Sequence, residues 1–295
     1  MQCHYPIIHV VTKDKLVLHG ALFEANTKTI VINIHGTASS FYDEDYKQNM
    51  AKELPKHKIS FLTANNRGTG VMQYALQGAV KEVFQDCIKD IDAWISFAHT
   101  KGYSNIILQG HSLGTEKTVY YAAKGNFPVK GLILLGASDS SGNQKKFLPE
   151  DVRKKLDAQT KQFVKQGKAH ELLTAHPRPH AGFLPKTAAS YASFFGPNSA
   201  LAKSLPFHTK KLTLYNKLSI PILAVIGGRD IFTAVPVKEA VTLLQKNKHA
   251  TTHIIQGANH DFEGKEKEVT EIVLKWILKQ NTTNNPAKKQ LFHHT

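Results

Sequence analysis

The stretch Ile106-Ile-Leu-Gln-Gly-His-Ser-Leu-Gly114 runs from an apolar segment directly into a serine that is bracketed by glycines. Its first residues are typical of a strand that is buried on both faces. The residues that follow, up to Lys124, carry the pattern of a helix. A serine in this setting fits the G-x-S-x-G turn, whose geometry lifts a nucleophile off the end of a sheet. The stretch therefore predicts an α/β fold with a nucleophile at Ser112.

Similar apolar segments alternate with amphipathic ones along most of the chain. After an N-terminal hairpin formed by Ile7 to Val11 and Leu16 to Phe23, further strands are predicted at 29–34, 59–63, 105–108, 131–135, 220–226 and 251–255. Helices are predicted at 43–54, 80–99, 113–124, 236–246 and 265–280. This order predicts an α/β fold with a mostly parallel central sheet, an antiparallel N-terminal hairpin and helices on both faces.

The alternation stops between Ser138 and Lys211, where no convincing strand is found. A structureless loop of that length is unusual in a compact domain, so an inserted helical cap is the better interpretation. Helices are expected at 151–168 and 186–195, with a loop at 176–182 between them. The predicted division is an α/β core at 1–138 and 212–282, a cap at 139–211 and a flexible tail at 283–295.

A serine hydroxyl is a weak nucleophile until a base takes its proton, so Ser112 requires a histidine and an orienting carboxylate. Asp230 follows the strand at 220–226 within Gly-Gly-Arg-Asp, and His260 follows the last strand within Gly-Ala-Asn-His. The carboxyl ends of parallel strands lie at one edge of the sheet. We therefore predict Ser112 as nucleophile, His260 as general base and Asp230 as the carboxylate that fixes the imidazole.

Other residues could compete for these roles. Asp139 also follows a strand and is the alternative carboxylate. Asp261 adjoins His260, and an adjacent residue seldom reaches back to the same ring. His111 is expected to shape the turn rather than to react. The remaining histidines lack metal-ligand spacing, so neither a metal nor an organic cofactor is predicted.

The tetrahedral intermediate of acyl transfer needs two donors for its oxyanion, and backbone amides usually supply them. One donor is predicted to be the amide of Leu113, directly after the nucleophile. The other is predicted to be the amide of Thr37, in the loop that follows the strand at 29–34. Gly36 would permit a close approach there; the alternative is that this loop is only a glycine turn.

The chain of 295 residues has a formal net charge of +15. Its lysines are spread along helical segments and no nucleic-acid-binding motif is found, so no specific nucleic-acid partner is predicted. Between Lys145 and Lys211 there are 13 Lys/Arg and 4 Asp/Glu residues. This excess suggests the hypothesis of an anionic ester substrate. The alternative is that these lysines only face solvent.

The sequence has two cysteines, Cys3 and Cys87, which form neither a disulfide framework nor a metal motif. No secretory signal and no apolar stretch long enough for a membrane span is found. These observations predict a cytoplasmic protein without a transmembrane segment, and they leave its oligomeric state open.

Five motifs together resemble the α/β-hydrolase superfamily: His-Gly at 35–36, Asn-Asn-Arg-Gly-Thr-Gly at 65–70, and the segments around Ser112, Asp230 and His260. The resemblance implies the α/β-hydrolase fold and its catalytic triad. Within the superfamily, the segment Tyr191-Ala-Ser-Phe-Phe195 is similar to that of siderophore-esterase-type relatives.

Motifs and resemblance together predict a serine hydrolase that cleaves carboxylic esters of small molecules through an acyl-enzyme. Three alternatives stay open at this point. The chain could be a thioesterase or peptidase of the same fold. It could be a small-molecule binder or receptor with little turnover. It could also be a basic protein that binds nucleic acid through its surface charge.

Overall fold

Eight strands form the central sheet of the protein. A computed structural model describes residues 6–72, 77–175 and 184–283. The strands are β1 (Ile7–Val11), β2 (Val17–Phe23), β3 (Thr29–Ile34), β4 (Ser60–Ala64), β5 (Asn105–His111), β6 (Gly131–Leu135), β7 (Ile222–Gly227) and β8 (Ala250–Ile255). Their order across the sheet is β1-β2-β4-β3-β5-β6-β7-β8.

The sheet is parallel except at its N-terminal edge. Strand β2 runs antiparallel to both β1 and β4, and all other neighbours are parallel. Register keeps the carboxyl ends of the central strands level, because Ile34 pairs with Gly110 and His111 pairs with Leu135. The predicted fold class is confirmed, and loops after these strands share one edge.

The helices begin and end as follows: α1 (Asp45–Glu53), α2 (Cys87–Thr100), α3 (Leu113–Lys124), α4 (Ser140–Phe147), α5 (Glu150–Lys165), α6 (Ala188–Phe195), α7 (Leu201–Ser204), α8 (Val237–Leu244) and α9 (Glu266–Thr283). The helices cover both faces of the sheet, as alternate residues of β3 show. Ile30 and Ile32 pack with the apolar residues of α2, α3 and α8, whereas Val31 packs with those of α1 and α9. Burial of each such side chain stabilises the fold by about 1.5–3 kcal/mol.

The start of one helix differs clearly from the sequence-based prediction. Helix α2 begins at Cys87 rather than at Val80, after a short 3-10 turn at Phe84–Asp86. Val80 and Phe84 are buried in contacts outside the helix: the Val80 carbonyl accepts from Thr187, and Phe84 packs against Phe194. These two apolar residues therefore pack against the helical segment between β6 and β7, although their spacing in the sequence resembles that of a helix.

The segment between β6 and β7 is helical. Helices α4 to α7 lie there, and we call residues 139–211 the cap segment. It has a small apolar cluster of its own, formed by Leu148, Leu156, Leu173, Ala188 and Tyr191. Helix α4 was not predicted because few of its residues are apolar; Asp139 caps it by accepting from the Gly142 amide. From Leu205 the chain has returned to the main core cluster.

Two predicted segments, the loop at 176–182 and the tail beyond 283, lie outside the described residues. Within the described ranges, no helix is long and apolar enough to cross a membrane.

Candidate active site

Ser112 occupies the turn between β5 and α3 in a strained backbone conformation. Its φ is 55° and its ψ is −127°, a region that non-glycine residues rarely adopt. Such strain costs about 1–3 kcal/mol and persists only where the surroundings fix it. Here the Ser112 amide donates to the Leu135 carbonyl of the neighbouring strand. The turn therefore holds the serine at the carboxyl edge of the sheet.

His260 and Asp230 form a hydrogen-bonded pair at the same edge. The His260 Nδ1 atom lies 2.8 Å from Asp230 Oδ2, and Asp230 Oδ1 accepts from the Phe232 amide at 2.8 Å. An ionised carboxylate only accepts, so Nδ1 carries the proton and Nε2 of the neutral ring keeps its lone pair. Nε2 is buried and has no hydrogen-bond partner among the described residues.

A cavity of about 340 Å³ contains both Ser112 and His260 in its wall. Ligand pockets span roughly 300–1,000 Å³, so this one suits a small ligand. Its wall is rich in aromatic side chains and also contains hydroxyl, amide and charged groups. The further lining residues include Gly36, Thr37, Glu44, Ser138, Asn143, Leu184, Lys186, Phe194, Phe195, Phe232 and Asp261.

The loop after β3 lies directly against the serine. A Cβ atom added to Gly36 would lie 2.8 Å from Ser112 Cβ, so only glycine allows this approach. Thr37, the next residue, lines the cavity. Leu113 is the first residue of α3, and its amide therefore has no acceptor within the helix. Ala38 has a φ of 55°, a strained position that the sequence did not reveal.

His35 connects this loop to the turn after β4. Its Nδ1 lies 2.8 Å from the Gly36 carbonyl, while Nε2 is 2.7 Å from Thr69 Oγ1 and accepts from the Asn66 amide at 3.2 Å. Complete burial lowers the pKa of His35 well below its usual range, and the charge of Lys117 lowers it further. A neutral His35 therefore links the His-Gly and Asn-Asn-Arg-Gly-Thr-Gly motifs.

His111 supports the backbone of His260. The two ring centroids are 5.0 Å apart, and His111 Nε2 lies 3.1 Å from the His260 carbonyl oxygen. Burial, and then the charge of His260, lowers the pKa of His111. Within the part of the chain that the structure describes, one histidine–carboxylate group has metal-ligand spacing: His111, His260 and Asp261, with donor atoms within 4.8 Å of one another. In that group, His111 Nε2 is already within hydrogen-bond distance of the His260 carbonyl oxygen.

Asp139, the alternative carboxylate, has other partners. Its Oδ2 accepts from the amide and from Nδ1 of His208, at 2.8 and 2.7 Å. Its Oδ1 accepts from the Gly142 amide at 2.7 Å. The carboxylate that the structure brings to His260 is therefore Asp230.

Sequence reasoning missed the cap residues that line the cavity. Lys186 is one of 38 basic residues, so nothing in its neighbourhood distinguishes it. Phe194 and Phe195 belong to the segment singled out by resemblance, but no periodicity indicated that they reach the cavity. Their position depends on how α6 packs over the core, which the sequence pattern does not encode.

Solved structures with the same fold are numerous. Est1E from Butyrivibrio proteoclasticus with bound ferulic acid is 20% identical, with a TM-score of 0.66 over 92% of this chain and 98% of that one. A carboxyl esterase from Bacillus coagulans is 15% identical, with a TM-score of 0.67 over 94% and 99%. The Pyrococcus furiosus esterase Pf2001 is 18% identical, with a TM-score of 0.60 over 94% and 91%. At these identities the likeness establishes the fold.

The comparison with curated proteins gave no match. A family model described as serine aminopeptidase, S33, matches residues 25–268, which is most of the chain and includes the serine turn, Asp230 and His260. Together with the sheet order, this match makes the protein an α/β-hydrolase enzyme that belongs to the S33 serine hydrolase family.

Proposed function

We propose that this protein cleaves carboxylic esters through an acyl-enzyme formed on Ser112, with His260 as general base and Asp230 as the orienting carboxylate. One observation carries the proposal: the pair formed by His260 Nδ1 and Asp230 leaves Nε2 without a hydrogen-bond partner among the residues that the structure describes, in the wall of the cavity that also contains the strained Ser112. Catalytic hydrogen bonds are often long or absent without substrate, so the free Nε2 suits this role.

The proposed reaction has two halves. Ser112 Oγ attacks the ester carbonyl carbon while His260 Nε2 takes the hydroxyl proton, and the amides of Thr37 and Leu113 stabilise the oxyanion. Collapse of the intermediate breaks the bond to the alcohol, which leaves with the proton from His260. Water then attacks the acyl-enzyme, giving its proton to His260, and the carboxylic acid is released as Ser112 regains its hydrogen. No step requires a metal or organic cofactor.

Three features favour esters as the substrate class. The cavity has the size of a small-molecule site. Three phenylalanines, Phe194, Phe195 and Phe232, lie in its wall and suit an apolar acyl or alcohol group. Several proteins with this fold are esterases by description, and one was solved with ferulic acid. We propose that the cap segment closes over the bound ester and determines its size, since Leu184, Lys186, Phe194 and Phe195 reach the cavity.

The decisive experiment is labelling with a fluorophosphonate, followed by intact mass and peptide mapping. We expect one adduct, on Ser112, and none in Ser112→Ala. A panel of 4-nitrophenyl esters of increasing acyl length would then give kcat/KM for each. An adduct on another residue would refute the assignment of the nucleophile. Labelling without measurable turnover across the panel would instead support a binder or receptor.

The family description gives a second candidate, an aminopeptidase. Such an enzyme must bind a free amino group, and two carboxylates, Glu44 and Asp261, lie in the cavity wall. Glu44 is already paired with Lys47, and Asp261 lies 3.5 Å from His111 Nε2. Hydrolysis of leucine 4-nitroanilide, with N-acetyl-leucine 4-nitroanilide unreactive, would establish this function in place of ester cleavage.

A further inference from the structure

Lys186 is a buried lysine at the start of α6 that lines the cavity. Only 8% of its surface is exposed. Its Nζ donates to the Ala79 carbonyl at 2.9 Å and to Ser190 Oγ at 3.2 Å, and it lies 3.7 Å from the centroid of the Phe194 ring. It therefore brings a cation into the wall that also contains Ser112 and His260.

The ammonium of Lys186 has no carboxylate partner in the part of the chain that the structure describes. Within the described ranges, Lys186 forms no ion pair with an aspartate or glutamate, and the remaining residues of the chain include neither amino acid. Glu82 is the carboxylate that acts on Lys186 through its charge, but it is 2.5 Å from Lys117 Nζ in a fully buried pair. Of the two buried lysines, Lys117 is therefore paired with Glu82 and Lys186 is not.

Burial of an unpaired charge is costly, and such groups are concentrated at functional sites. Burial lowers the pKa of Lys186, Glu82 opposes this shift and Lys117 adds to it, and the resulting pKa is about 8. Around neutral pH most molecules therefore keep this cation, at a cost to stability. A ligand that supplies the missing negative charge would recover that cost.

We propose that Lys186 binds an anionic group of the substrate, so that the protein prefers esters that also carry a carboxylate. This inference rests on the proposed ester hydrolysis and names its substrate class. Phe194 and Phe195 would contact the apolar part between the ester and the anion. The acidic residues of the cavity, Glu44 and Asp261, lie near His111 instead. Glu44 Oε1 is 3.8 Å from its Nδ1 and Asp261 Oδ1 is 3.5 Å from its Nε2, and neither carboxylate is paired with Lys186.

A purely structural role is the competing explanation, because the hydrogen bonds to Ala79 and Ser190 join the cap segment to the core. The two roles differ in what loss of the charge does. A structural anchor would lower the melting temperature and the turnover of all esters together. An anion-binding residue would affect charged esters selectively, and the stability could even rise, since apolar replacement of a buried charge is often neutral or stabilising.

The test compares matched esters that differ only in charge. For the acyl side we would use 4-nitrophenyl hydrogen glutarate and 4-nitrophenyl valerate; for the alcohol side, 4-acetoxybenzoate and 4-acetoxybenzamide. We expect kcat/KM to favour the anionic member of one pair by about 10- to 100-fold, the usual effect of a charged hydrogen bond. The pair that shows the preference identifies the side that carries the anion.

Lys186→Met is expected to abolish that preference, mainly through KM, without a fall in the melting temperature. Lys186→Arg is expected to restore a good part of it. Lys155→Met is the matched control, because Lys155 is an exposed cap lysine whose side chain is 67% accessible. The preference should also fall as pH rises through about 8, as the ammonium beside Glu82 and Lys117 loses its proton.

Equal rates for both members of each pair in the wild type would refute the inference while leaving ester hydrolysis intact. Equal losses on charged and neutral esters in Lys186→Met, together with a lower melting temperature, would assign Lys186 to cap anchoring alone. Failure of every ester, with no fluorophosphonate adduct on Ser112, would instead refute the proposed function.

Discussion

The sheet edge and the cap segment supply the same cavity but build it in different ways. At the sheet edge, Ser112 and Asp230 follow strands that are buried on both faces, whereas His260 follows the half-buried edge strand β8. Hydrogen bonds such as those of Asp230 with the Phe232 amide and His260 fix their geometry. In the cap segment, lining residues such as Lys186 and Phe194 come from a short helix and the residues before it. The sheet therefore fixes the edge, whereas the cap is held by side-chain and loop contacts such as those of Lys186 with Ala79 and Ser190 with Glu82.

This difference suits the sheet edge to the reaction and the cap segment to the choice of substrate. Reaction requires near-fixed distances between groups, which parallel strands of one sheet provide. Choice of substrate requires a wall whose shape and charge can vary without disturbing that geometry, and a helical insertion provides it. We therefore expect substitutions at the edge to affect all substrates and substitutions in the cap to discriminate among them.

The largest effect is expected for Ser112→Ala. Loss of the nucleophile should lower kcat by about 10⁵- to 10⁶-fold, because the remaining groups retain only binding and oxyanion stabilisation. Turnover of a reactive 4-nitrophenyl ester measures it, with thermal unfolding as a check on folding. Ser104→Ala is the control, an exposed serine just before the same strand, β5. A decrease below about 100-fold would contradict a serine mechanism.

The next comparison is between two carboxylates that both follow strands. Asp230→Asn should lower kcat by about 10³- to 10⁴-fold, because an amide at this position favours the wrong imidazole tautomer. Asp139→Asn should change kcat less than tenfold, since its carboxylate is bound to His208. Because Asp139 is buried, weakening its charged hydrogen bonds to His208 should cost about 1.5–3 kcal/mol of unfolding free energy. The reverse order of kcat effects would transfer the orienting role to Asp139.

The sequence allowed prediction of the sheet and its helices because burial on both faces leaves a strong pattern. Apolar segments such as β3 and β7 are continuous, and the helices that cover them repeat at three and four residues. The serine turn was visible because its backbone requires glycines at fixed positions. Asp230 and His260 followed from their places after strands, and their meeting at 2.8 Å agrees with that reasoning.

The sequence predicted helices in the cap segment, including those observed as α5 and α6, but three features were missed for physical reasons. Helix α4 lacks apolar periodicity and is stabilised by the N-cap Asp139. Val80 and Phe84 fit a helical pattern in the sequence but lie before α2, where Phe84 packs against Phe194. The position of Lys186 depends on long-range contacts with Ala79, which no local pattern reports. The likeness to siderophore-type esterases, the cytoplasmic location and the cap boundaries at 139 and 211 stay predictions.

Glycine substitutions at the sheet edge and in the cap segment should also differ in their effect on stability. A Cβ on Gly114, next to the serine turn, would lie 2.2 Å from the Ile34 carbonyl oxygen, so Gly114→Ala should destabilise the protein by about 3 kcal/mol. Gly167, after α5 in the cap segment, has open space around it and a φ of 73°. Gly167→Ala should cost about 1 kcal/mol, from backbone strain alone. Urea unfolding measures both, and similar values would show that the turn adapts more than its contacts suggest.

A further effect is expected in the pH dependence of stability at the sheet edge. His35 is buried and neutral with a lowered pKa, whereas the unfolded chain protonates this ring near pH 6.5. Below that pH the unfolded state binds the additional proton, so stability is lost as pH falls, by about 1.4 kcal/mol per pH unit for one such group. His35→Asn should remove that contribution from the slope measured by urea unfolding between pH 6.5 and 5. His253→Asn, at an exposed position of β8, should leave the slope unchanged. An unaltered slope in His35→Asn would mean that His35 does become protonated in the folded protein, and that the link between the His-Gly loop and the turn after β4 tolerates a charge.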